Sequence, residues 1–207
     1  MAMTKDPFER IRQLEAQVEH LAREKSVALS ALEKAAELGS FKTRFGEISQ
    51  PLDIICEAAN KLNSLIDFKG YAFYLVNEGD SDFQMVLCSD EAIKPFIEQE
   101  TEYFIQDTIF SWVLGRNKPF TMLSHDSSET LLLHSITTPA RTRGMFVGVL
   151  AQERGAIMDV SLSLTTILLL FTATLLESHE TYGYINDINQ ELRNNLARLA
   201  ESESMLL

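Results

Sequence analysis

The hydrophobic positions along the chain change period several times, and each change marks a predicted element. Ile11, Leu14, Val18, Leu21, Lys25, Ala28, Leu32 and Ala35 follow alternating spacings of three and four, with no Gly or Pro between Phe8 and Leu38. That is a helix with a narrow a/d stripe, too thin for a globular core face, so it predicts pairing with a partner helix. Gly46 and the run Ser49-Gln50-Pro51 end it. A second helix follows with Leu52, Ile55, Ala59, Leu62 and Ile66 on one side; its proline falls in the first turn, where an N–H has no helical partner. The pattern then turns β-branched and aromatic at Tyr71–Val76, reaches turn chemistry at Asn77–Asp82, and resumes at Phe83–Cys88, which predicts an antiparallel hairpin.

Pro95 can open the next helix, with Ile97, Phe104, Ile105, Ile109, Trp112 and Val113 on one face, and Gly115 and Pro119 close it. Pro119–Leu123, Leu131–Thr138 and Met145–Ala151 read as three more strands. About five strands with helices before, between and after them make an α+β pattern, not an alternating βαβ one. Val160–Leu176 is a run of seventeen uncharged residues, the lower limit of a membrane span. Its six hydroxyls (Ser161, Ser163, Thr165, Thr166, Thr172, Thr174) and acidic flanks Asp159 and Glu177 favour a buried helix at a subunit interface instead. Leu162, Leu169 and Leu176 give it one apolar row, Leu168 and Leu175 a second. Beyond it Ile185, Ile188, Leu192 and Leu199 return to heptad spacing, with Asn195 at a d position.

Composition excludes several classes of function. The 207 residues are 45% apolar and 23% charged, a soluble globular balance. Two distant cysteines, Cys56 and Cys88, make neither a disulfide scaffold nor a zinc module; both read as small core residues, in a reducing cytoplasm. The net charge of −12 is concentrated at residues 77–107, where nine acids face Lys94 alone; such a surface disfavours nucleic acid. Glu78, Asp80 and Asp82 alternate as calcium ligands would, but the EF-hand spacing is missing. His20, His125, His134 and His179 show no metal-ligand spacing, and His125-Asp126 lacks the nucleophile elbow and oxyanion loop of a triad. No phosphate-binding glycine motif occurs either, so the chain is expected not to be an enzyme.

The order of these elements resembles the GAF sensor domain. The resemblance covers residues 47–178 and rests on Trp112-Val113-Leu114 followed by Lys118-Pro119-Phe120, and on Phe146-Val147-Gly148-Val149-Leu150. The first is similar to a G-x-x-G-x-V-x-x-x-G-K-P pattern of that family, the second to its G-V-L strand. Asn117 and Ser111 stand where glycines are usual. The family's cyclic-nucleotide signature is absent: Phe120 follows Asn117-Lys118 at once, and Ser124 and His125 replace the acids. Neither cysteine sits in the setting used for bilin attachment, so no cofactor is named. The tail Leu196–Glu203 is similar to helical linkers leading into kinase or PAS domains of bacterial sensors.

The organisation expected is therefore an N-terminal coiled-coil helix (1–46), a GAF-like domain with an antiparallel sheet of five to six strands (47–178), and a C-terminal signalling helix (179–207). The resemblance implies a dimeric cytoplasmic sensor that binds a small ligand and relays a change through its terminal helices to an output domain such as a kinase or cyclase. The alternative is a purely structural dimerisation module with a filled pocket. A pocket, if present, is expected between the sheet and segment 96–134, drawing on Phe73, Leu75, Met85, Trp112, Phe120 and His134. Trp112 is expected to be a buried indole with a partner for its N–H.

Overall fold

The computed structural model describes residues 14, 15, 17–19, 26, 50–77, 82–152, 157 and 159–205. By contacts the chain divides into two units, residues 1–47 and 48–207. In the first unit the described residues are helical, and Leu14 and Val18 are exposed. The rest of the heptad stripe, Glu78 and Asp80 lie outside the described residues.

The second unit runs α1 (Pro51–Leu65), β1 (Phe68–Val76), β2 (Phe83–Cys88), α2 (Lys94–Gln106), α3 (Ile109–Leu114), β3 (Phe120–Leu123), β4 (Thr130–Thr137), β5 (Thr142–Leu150) and α4 (Asp159–Met205). The five strands form one antiparallel sheet in the order β2-β1-β5-β4-β3. β4 and β5 lie inside the sheet and are buried along nearly their whole length. That is why LLLHSI and MFVGVL read as apolar runs without clean alternation: helices cover both faces.

α2 and α3 cover one face. There Ala72, Tyr74, Leu131, Leu133, Met145, Val147 and Val149 pack with Ile97, Phe104, Phe110 and Val113. α1 and α4 cover the other and pack on each other. On that side Phe68, Tyr71, Phe73 and Phe146 form an aromatic cluster, with Phe73 and Phe146 ring centroids 5.0 Å apart. Gly148 makes room for it: a Cβ there would lie 2.5 Å from the Phe68 ring.

Two expectations about the helices change. The single helix expected across 95–114 is two, because Thr108 adopts a left-handed conformation (φ 61°) and restarts the chain as α3. The break leaves Ile105 and Trp112 outside the buried face assigned to them. In α1 the buried stripe is Ile54, Ile55, Ala58, Ala59, Leu62 and Leu65, and Leu52 is exposed in the first turn. α4 passes residue 178 without a break.

The apolar first half of α4 lies against the sheet and α1, with Leu164, Leu168, Leu169, Ala173 and Leu176 buried. Its hydroxyls turn back on their own helix: Thr165, Thr166, Thr172 and Thr174 donate to the carbonyls four residues earlier at 2.8–3.2 Å. By length and composition alone this helix could cross a membrane, but 44% of its most apolar window is buried inside the domain.

Candidate functional site

The six residues expected to share one pocket are divided by the sheet. Met85 and Phe120 belong to the α2–α3 side, packed at the margin of the apolar cluster. Trp112 stands beside Phe120, ring centroids 4.8 Å apart, but is 43% exposed, with the Arg116 guanidinium 3.8 Å over its ring. The expected buried indole is therefore an exposed one that carries a cation–π contact. Phe73 and His134 face α1 and α4, and Leu75 lines a cavity bordered by those same helices. Two faces of one sheet cannot line one cavity, so the expectation that these six surround a common pocket is corrected. In central strands with both faces apolar, parity within the strand is readable but the side is not.

The α2–α3 side carries a continuous apolar cluster. Among its buried polar groups is the Tyr74 hydroxyl, beside Thr101 on α2. Burial pushes that phenol up to about 12, against the opposing effect of the Thr101 hydroxyl.

The α1–α4 side is polar where it meets α4. His134 is fully buried, with Nδ1 at 2.7 Å from the Ser135 carbonyl and Nε2 at 3.1 Å from Thr166 Oγ1. A carbonyl only accepts, so the Nδ1–H tautomer is assigned and Nε2 accepts from Thr166. The Thr166 proton also has the Leu162 carbonyl within 3.2 Å, so one hydroxyl serves two acceptors. Desolvation holds the His134 pKa down at about 4, only partly offset by the Ser135 carbonyl. His134 is thus a neutral buried strut between β4 and α4.

The second polar contact on this side was not foreseen. The register between β4 and β5 slips: Ile136 pairs with Gly144 and Thr137 with Thr142, which leaves Arg143 as the extra residue of a bulge. Strict alternation from Met145 would aim Arg143 at the α2–α3 side. The bulge breaks that alternation, and the guanidinium, 6% exposed, reaches Glu180 on α4. Arg141, in the β4–β5 connection, donates to the same Glu180 oxygen. Both arginines, Glu180, Pro51, Leu75 and Leu176 line a cavity of about 330 Å³ at the place where α4 leaves the domain.

At the far end of the sheet, His125 stacks on Tyr103 with centroids 4.3 Å apart, and its backbone N–H donates to Glu100 at 2.9 Å. Ser124 and Ser128 donate to Asp126, which lowers its carboxyl to about 2. These bonds close the loop onto itself.

The sequence matches no family model, and no curated protein matches it significantly. Solved structures do match. The GAF domain of a GAF/HD-domain protein from Geobacter sulfurreducens superposes with a TM-score of 0.52 at 10% identity, covering 64% of this chain and 96% of that one. The GAF domain of a protein described as a sensor histidine kinase, from Pseudomonas syringae pv. tomato, gives 0.50 at 12% identity over 86% and 99%. The N-acylhomoserine lactone-dependent LuxR-family factor CepR2 from Burkholderia cenocepacia gives 0.53 at 13% identity over 72% and 99%. At these identities the likeness concerns architecture. The domain built from α1, the five-stranded antiparallel sheet, α2–α3 and α4 has the fold of GAF domains.

Proposed function

We propose that this chain is a dimeric, non-enzymatic, cytoplasmic signalling module that passes a change at its sheet through α4 to an output domain. One observation carries the reading. α4 is a single helix of 47 residues whose first half is packed and whose second half presents Ile185, Ile188, Leu192 and Leu196 to solvent. Their spacings of three and four make a seam that only another helix covers well. A second copy of the same helix satisfies it with two-fold symmetry, and Asn195 within the seam favours one register. Because core and seam share one rigid rod, a shift of α4 against the sheet becomes a shift between two copies. The same fold in a protein described as a sensor kinase and in a ligand-dependent transcription factor supports a role in signal conversion.

The purely structural alternative draws support from the continuous apolar cluster on the α2–α3 side. Light scattering of the intact chain, without detergent, tests the reading. A soluble dimer at micromolar concentration is expected, and removal of residues 182–207 should weaken it. A monomer, or a chain that requires detergent, would refute the proposal.

A further inference from the structure

The cavity at the exit of α4 joins three features that a small anion uses. Two guanidiniums converge on it, and Arg143 is buried. A guanidinium presents paired donors that match a carboxylate, and out of water it requires an anion close by. Pro51 brings in the first turn of α1, the positive end of a helix of 15 residues. Leu75 and Leu176 supply apolar lining. In this structure the anion is Glu180, whose side chain is 39% exposed, whereas that of Arg143 is 6% exposed. The exposed member of the pair can therefore rotate into water while the buried member stays. About 330 Å³ accommodates a short organic acid in its place.

We propose that this cavity binds a small aliphatic carboxylate, its head on Arg141 and Arg143 in competition with Glu180 and its short chain against Leu75 and Leu176. The binding stands on the cavity alone; its consequence rests on the relay reading above. Glu180 lies just before Ile185, the first residue of the exposed seam. Exchange of Glu180 for a ligand would release α4 from β5 at the point where the helix leaves the domain.

The test is an NMR titration of the intact chain with hexanoate, with hexanamide and inorganic phosphate as controls. Saturable hexanoate binding is expected, with about tenfold higher affinity in Glu180→Gln, which removes the internal competitor, and about tenfold lower in Arg141→Ala. Arg141 is half-exposed, so its variant preserves the comparison should Glu180→Gln fail to fold. Hexanamide should not saturate, and phosphate, which lacks the apolar body, should bind more weakly than hexanoate. Equal hexanoate affinity in wild type and Glu180→Gln would overturn the site, as would tighter binding of phosphate or hexanamide. Hexanoate binding in a chain that is monomeric by light scattering would uphold the site and refute the relay. A dimer whose Glu180→Gln variant ignores hexanoate would refute the site alone.

Discussion

The two halves of α4 share one backbone geometry and nearly nothing else. Between Asp159 and Leu176 the helix packs on the sheet and on α1, and its threonine hydroxyls bond their own helix, Thr166 also reaching His134. From Thr181 onward the described side chains are exposed, and the apolar ones keep a helical spacing with no part of their own domain to cover them. Glu180 marks the transition, clamped by Arg141 and Arg143. A helix can thus be apolar along its length for two reasons. One half completes a core; the other keeps its apolar row exposed.

The largest expected effect comes from charging the packed half. Leu169→Asp places a carboxylate at a fully buried position and should cost about 3–5 kcal/mol or more, a large part of the roughly 5–15 kcal/mol margin of a domain. Loss of the cooperative thermal transition checks it; a folded variant would mean that this half is not core.

A second effect is a pH dependence carried by His134 of β4, which contacts the same half at Thr166. The folded pKa of His134 is about 4, below the usual 6.5, so the unfolded chain takes up a proton that the folded one refuses. Stability from this group is complete above about pH 6.5 and is lost as pH falls toward 4, by roughly 3 kcal/mol in total. Denaturant midpoints between pH 7 and 4.5 should fall accordingly, and His134→Gln should flatten the slope. An unchanged slope would show that His134 is not the titrating group.

Charging the other half should separate association from folding. Ile188→Asp, at an exposed position, should change domain stability by no more than about 1 kcal/mol while it dissociates the dimer. Sedimentation beside thermal unfolding reads both quantities. If Ile188→Asp unfolds the domain, the comparison between the halves fails.

The smallest expected change is at Thr172→Val. Its hydroxyl serves a carbonyl four residues earlier in the same helix, so its loss should shift stability by no more than about 1 kcal/mol in either direction. A larger loss would reveal a structural bond within the packed half.

Much of this fold was legible from local pattern. The hairpin, the later strands and the proline starts of α1 and α2 are set by residues within a few positions of each other, because β-branched runs and proline restrict the backbone wherever they occur. The row Ile185, Ile188 and Leu192 was equally readable, since exposure leaves its helical period undisturbed by any neighbour. The site was not. Which side of the sheet Phe73, Leu75 and His134 face depends on where α1 and α4 dock, and both faces of β4 and β5 are apolar. The break at Thr108 and the bulge at Arg143 are backbone states that the hydrophobic pattern does not mark. Local chemistry therefore determined the elements and the outgoing seam. Tertiary contacts decided which residues meet, because a single slipped residue in β5 is what carries Arg143 across to Glu180.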